Sequence, residues 1–300
     1  MSVFQLQHLA EKFGVDIPFD AIDLYSISSS FLDGLTEEQQ KIILNEYGDA
    51  GRKPTYIFIS KKKAPPIQDI INKTKELIKI EPESKFLEYS IYFDEMQIDP
   101  SNTSLRIRFH YLGRTIYTLD ESGRQREQRL QHSGVAIYRA NSRLLEVRVK
   151  HKSIAKKFSL NFPTYLGLEP YYSLNFVSEK LIKPFVSWIS SLNSAMIELA
   201  ISEVAGSLRI TARKGVDLRT AAKFHQELKS GRLKGGHVTI QHNKSKINFR
   251  MHFRDCHIKY TLFTSEEEIK YILDAVEKIA EGYEFAKPDK TLKEFFRKTD

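Results

Sequence analysis

The stretch "SLRIRFHY", residues 104–111, constrains the fold more than any other part of the chain. Apolar Leu105, Ile107, Phe109 and Tyr111 alternate with Arg106, Arg108 and His110. A period of two sends successive side chains to opposite sides of a β-strand. Such a strand offers one apolar face to a core and one basic face away from it. The pattern recurs. Leu145, Val147 and Val149 oppose Glu146, Arg148 and Lys150, and Leu208, Ile210 and Ala212 oppose Arg209, Thr211 and Arg213. Further on, Ile247, Phe249, Met251 and Phe253 oppose Asn248, Arg250, His252 and Arg254. Ile258, Tyr260 and Leu262 oppose His257, Lys259 and Thr261. Antiparallel sheets leave one face to water while parallel sheets bury both, so the repeated phase predicts antiparallel sheets.

Other segments carry helical spacing. "FQLQHLAEKFG", "FDAIDLYSISSSFLDG" and "TEEQQKIILNEYG" predict three helices within the first 50 residues. Thr36 and Gln39 form a capping-box pair, with Glu37 and Glu38 in the first turn. "IQDIINKTKELIKI" predicts a helix after Pro65-Pro66, and "SIAKKF" one with Ser153 as N-cap. "SLNFVSEKLIKPFVSWISSLNS" reads as helix in two pieces, and "DLRTAAKFHQELKSG" as a helix from Asp217 to a stop at Gly231. "SEEEIKYILDAVEKIAEGY" has a capping box in Ser265 and Glu268 and an apolar stripe from Ile269 to Ala280. The expected class is α+β: a small helical N-terminal domain, then antiparallel sheets with one apolar and one basic face, covered by helices. The expected division is 1–83 as an acidic helical domain and 84–300 as the α+β part.

Charge is segregated. Residues 101–160 hold 13 Lys+Arg against 4 Asp+Glu, and residues 206–262 hold 13 against 3. Residues 1–100 reverse this, with 11 against 17. Clustered cations are the footprint of a polyanion partner. Arginine supplies planar donors for phosphate, and strand positions i and i+2 lie about 7 Å apart. The expected phosphate contacts are Arg106, Arg108, Arg148, Lys150, Lys152, Lys156, Lys157, Arg209, Arg213, Lys214, Arg232, Lys234, Arg250, Arg254 and Lys259. The loops "RKG" and "GRLKGG" pair cations with glycines that allow close backbone approach. Most aromatics fall on the apolar phase, which favours backbone contact with duplex, DNA over RNA, above base stacking. The acidic residues 1–83 suit a protein partner, so a subunit of a larger complex is expected. A protein–protein adaptor without nucleic acid is the alternative.

Glu146 opens an enzyme reading. A nuclease strand of the Glu-x-Lys kind holds Mg²⁺ with an upstream acid, here Asp120 or Glu121, both in what reads as a turn tip. The string is Glu146-Val147-Arg148, and arginine does not deprotonate. The bland alternative for Glu146 is a salt bridge to Arg108 or Arg148. His237, His242, His252 and His257 cluster in sequence with few nearby acids, a poor metal-ligand set. No phosphate loop, dinucleotide fingerprint or nucleophile elbow is present, and no cofactor is expected. The single cysteine, Cys256, excludes an internal disulfide and reads as a core thiol. No apolar run approaches the roughly 18 residues of a spanning helix. The first residues lack a basic-then-apolar leader, so a cytoplasmic or nuclear, non-secreted location is expected.

Overall fold

The architecture comes from a computed structural model, which describes residues 3–16, 24–47, 53–80, 91–99, 103–119, 124–176, 178–198, 208–213, 215–220, 232–243, 245–260 and 264–281. The fold is α+β, as the strand phases require. Its elements in chain order begin with α1 (Val3–Phe13), α2 (Leu24–Asp33), α3 (Glu37–Tyr47), β1 (Thr55–Ile59), α4 (Ile67–Ile80), β2 (Ile91–Ile98) and β3 (Ser104–Leu119). There follow β4 (Gln125–Arg139), β5 (Leu144–Arg148), α5 (Lys152–Tyr165), β6 (Tyr172–Ser173), α6 (Glu179–Trp188), β7 (Ser191–Glu198) and β8 (Leu208–Thr211). The last are a 3₁₀ turn at Leu218–Thr220, β9 (Arg232–His242), β10 (Ser245–His252), β11 (His257–Tyr260) and α7 (Glu266–Ala280).

The eleven strands of the described residues join one antiparallel sheet in the order β2-β3-β4-β5-β1-β11-β10-β9-β7-β8, with β6 beside β1. Strand β1 is the centre, and its two faces explain the whole arrangement. Tyr56 and Phe58 point into a core made with α4 and α5, including Ile70, Ala155, Phe158 and Phe162. Ile57 and Ile59 point the opposite way, into a core made with α6 and α7, including Phe185, Ile269, Ile272 and Val276. The apolar face of β2–β5 therefore lies on one side of the sheet and that of β7–β11 on the other. Phe109 stacks on Phe158 at 4.7 Å between ring centres, and Phe158 on Phe162 at 4.9 Å. Each such buried ring contributes about 1.5–3 kcal/mol by burial.

Local chemistry sets several boundaries. Thr36 and Gln39 close their capping box at 2.9 and 3.2 Å. Ser265 and Glu268 close theirs at 2.8 and 3.2 Å. Gly14 ends α1 at φ 66°, and Asn141 takes φ 60° at the turn between β4 and β5.

Other sequence expectations are corrected. The boundary near residue 83 does not separate two cores, because β1 is the central strand and Ile67, Ile70 and Ile71 of α4 pack under β2–β5. Among the described residues, α1–α3 form a separate small core, around Leu9, Ile27, Phe31 and Ile43. Helix α5 starts at Lys152 with His151 at its N-cap position and no side-chain cap, two residues ahead of the expected N-cap Ser153. The second half of "SLNFVSEKLIKPFVSWISSLNS" enters β7, after α6 has carried Pro184 in its interior. "GRLKGG" is no loop from Arg232 on: Gly235 and Gly236 sit inside β9. A Cβ there would lie 2.6 Å from the Met251 carbonyl or 2.5 Å from that of Ser194, so only glycine fits between these strands. Residues 221–231 of the expected Asp217–Gly231 helix lie outside the described residues. No helix among the described residues is long and apolar enough to cross a membrane.

Candidate nucleic-acid interface

Because the covered side switches at β1, each half of the sheet has one face that no helix among the described residues covers, and the two faces differ in charge balance. The first uncovered face belongs to β2–β4. Its cations are matched one by one. Arg108 donates to Glu95 at 3.0 Å, His110 meets Asp94, and Arg106 lies 3.4 Å from Glu266. Tyr92 stacks on the His110 ring at 4.9 Å.

Where this face runs under α7, the charges are buried. Arg148 is 1% exposed and Glu146 0%. Arg148 Nε donates to Glu146 Oε1 at 2.6 Å, and its two terminal nitrogens fork onto Glu266, Nη2 to Oε2 at 2.7 Å. Arg139 Nη2 donates to the second oxygen of Glu146 at 2.9 Å. These cations hold the Glu146 carboxyl below the usual range against the opposing effect of its burial. Arg148, expected to face outward to phosphate, is thus a structural ion-pair residue. The correction has a physical cause: β5 lies beside the central strand, and α7 covers the face that an edge strand would leave open. Glu146 takes the salt-bridge role with Arg148. Both its oxygens are engaged by guanidiniums. Asp120 and Glu121 lie outside the described residues.

The second uncovered face belongs to β7–β11 and is different. Lys259 stands directly across the ladder from Arg250, and Arg250 directly across from His237. In the next row His257 is opposite His252, and Arg209 is opposite Met196 at the far side. Directly opposed residues of an antiparallel pair have Cβ atoms about 4.5–5.5 Å apart, where like charges destabilise the sheet. Among the described residues no carboxylate pairs with Arg209, Arg250 or Lys259. Asp255, beside this face, is held by Lys152 from the start of α5 at 2.5 Å.

The histidines register that unbalanced field. Burial is the largest cause in each case, and the neighbouring cations add to it. His237 is pushed below its ordinary value by burial, then by Arg250 and Arg209. His252 is pushed down by burial, Lys259 and Arg250, with Asp255 opposing. His257 reaches about 4 through burial, His252 and Lys259. His257 is also sandwiched, with His252 at 5.1 Å and Tyr56 at 4.6 Å. These three histidines belong to the face but were not among the residues expected to bind. The signal was present, since they share the polar phase with Arg250 and Lys259.

The remaining expected residues distribute around this face or beyond description. Lys150 before α5, Lys152 at its start and Lys156 one turn in are exposed, and Lys157 is half-buried. Arg213 follows the end of β8, and Arg254 sits in the turn between β10 and β11; both are exposed. Neither continues the i, i+2 row of its strand. Lys234 is half-buried on β9, the Arg232 side chain is outside the described residues, and so is Lys214. Cys256 is fully buried at φ 39° in that same turn, as expected for a core thiol. Among the described residues no group of three His, Cys, Asp or Glu is arranged to hold a metal ion.

No protein-family model matches the chain, and no curated protein is significantly similar to it.

Proposed function

We propose that this protein binds nucleic acid through its phosphate backbone, with duplex DNA as the preferred form, using the uncovered face of β7–β11 and the adjoining start of α5. The observation that carries this reading is the row Lys259–Arg250–His237 with Arg209 nearby, held on one face with no carboxylate partner among the described residues. A sheet that keeps like charges directly opposed incurs a repulsive cost that an approaching polyanion relieves. The spacing suits the task, since cross-strand neighbours are about 5 Å apart and same-strand neighbours about 7 Å. The balanced first face, Arg106 and Arg108 included, is left out of the interface. The acidic α1–α3 bundle, set apart by its own core, is the part best suited to a protein partner, which makes the protein an accessory subunit of a larger assembly.

Fluorescence polarisation of a labelled DNA duplex at about 50 mM salt tests this, because electrostatic binding is strong there. Duplex DNA is expected to bind more tightly than single-stranded DNA or duplex RNA. Absence of binding to all three overturns the reading.

A further inference from the structure

Helix α5 is 14 residues long and begins without the usual cap. Its N-cap position is His151, extended at φ −110° and ψ 120°, and no side chain bonds the first turn. That turn, Lys152-Ser153-Ile154-Ala155, holds no acid. The N–H groups of Ile154 and Ala155 donate back to the His151 carbonyl at 3.1 and 3.2 Å. Among the described residues nothing accepts from those of Lys152 and Ser153. Unpaired N–H groups at a helix start, aligned with its dipole, favour an anion.

A second, independent feature points to the same place. Tyr111 is 1% exposed, and among the described residues its hydroxyl closes no hydrogen bond. Burial raises that hydroxyl above its ordinary pKa, and the backbone of His151 and Lys150, lying beside it, draws it back down. The hydroxyl is therefore aimed at the start of α5. The Tyr111 ring meets His151 edge-on at 6.0 Å and His132 at 5.5 Å, and those two histidines lie 5.3 Å apart. A buried hydroxyl without a partner carries a desolvation cost that a bound acceptor relieves.

The surroundings are cationic and share the side of the sheet that carries the basic face. Tyr56 and Tyr111 both point into the core under α5, and His132 stands across the ladder from Tyr111. Across from Tyr56 is His257, stacked on it at 4.6 Å, with a buried Nε2 that has no hydrogen-bond partner among the described residues. Lys150 and Lys152 are exposed, and Lys152 joins the helix start to Asp255, beside His252 and His257. His132 is held below its ordinary value by burial, then by Lys150 and His151. Phosphate, whose oxygens accept several charge-assisted bonds from backbone N–H groups and cations at once, is the anion that fits this set.

We infer that the start of α5 is a phosphate-binding site, in which the Lys152 and Ser153 amides and the Tyr111 hydroxyl donate to phosphate oxygens and Lys150 and Lys152 supply the surrounding charge. The source of that phosphate, one group of a bound duplex backbone, rests on the proposed function. On that reading the site fixes where α5 meets the backbone, and the β7–β11 face supplies the remaining contacts.

NMR titration of the full-length protein with inorganic phosphate, with chloride holding the ionic strength constant, tests it. The amide signals of Lys152 and Ser153 are expected to shift and saturate. His151→Asn places a side-chain acceptor at the N-cap, where it occupies the same N–H groups. It is expected to raise the urea midpoint and to weaken phosphate binding about fivefold, whereas His151→Ala, which adds no cap, weakens it less. Tyr111→Phe is expected to weaken it about fivefold with no loss in the urea midpoint, because no group among the described residues uses that hydroxyl. Absence of a saturating shift overturns the site, as does unchanged phosphate affinity in Tyr111→Phe or in a His151→Asn variant whose midpoint has risen. Duplex binding measured alongside separates the two readings. A protein that binds duplex without the phosphate shift loses the α5 site and keeps the backbone reading. Phosphate saturation without duplex binding keeps the site and overturns the proposed function.

Discussion

Arg148 and Glu266 lie 118 residues apart in sequence and close a two-pronged ion pair in space, which ties the end of β5 to the first turn of α7. Arg148 is almost wholly buried, and Glu266 is 11% exposed. The pair is where the sheet's covered side changes hands, because β5 packs α5 against one face and α7 against the other.

Removing one partner from such a pair leaves a buried charge uncompensated. Glu266→Ala is expected to destabilise the fold by about 3 kcal/mol, the low end for a broken buried pair because Glu146 still holds Arg148. Urea unfolding measures it. Glu266→Gln keeps an acceptor and is expected to cost less. A loss under about 0.5 kcal/mol, the range of an exposed surface pair, would show that α7 is not anchored there.

Cys256 offers a probe of the same core. Burial pushes its thiol well above the ordinary range, and Asp255 adds to the effect. The native protein is expected to give no reaction with a thiol reagent at mildly alkaline pH, and one equivalent once unfolded. Rapid reaction of the native protein would mean that the turn between β10 and β11 opens readily.

The histidines couple stability and binding to pH with opposite signs. The folded protein holds His237, His252 and His257 below their ordinary range, His257 at about 4. Between roughly pH 6.5, the ordinary histidine value, and these depressed values, the unfolded chain binds more protons than the folded one. Stability of the free protein therefore falls as pH drops through that window. A polyanion on the face offsets the field of Arg209, Arg250, Lys259 and Lys152 and raises the same pKa values, so binding takes up protons. Duplex affinity is expected to rise between pH 7.5 and 5.5 while the urea midpoint of the free protein falls. His237→Gln and His252→Gln together are expected to flatten both trends. Affinity that is independent of pH would remove these histidines from the interface.

What the sequence disclosed was local. The alternation in β3, β10 and β11, the two capping boxes and the apolar stripe of α7 depend on residues a few positions apart, and they are read without knowing the fold. The position of β1 was not legible. "TYIFI" is short and uniformly apolar, and what makes it central is pairing with β5 and β11, about 90 and 200 residues away. Arg148 and Arg250 occupy the same phase of similar strands and differ only in whether a helix lies above them. That difference is tertiary, so the expected binding set mixed a buried ion-pair residue with exposed cations. The alternation of residues 105–119 was visible, but not the start of β4 at Gln125 or its pairing with the outer half of β3.

The central claim is that Arg250 and Lys259 meet phosphate, and the salt dependence of duplex binding tests it most directly. Each phosphate neutralised contributes about 0.9 to the slope of log affinity against log salt. Arg250→Ala with Lys259→Ala is expected to weaken binding and make that slope shallower by about 1.8, whereas Arg108→Ala, on the balanced face, leaves it unchanged. An unaltered slope in the double variant, or an equal loss with Arg108→Ala, would contradict the account.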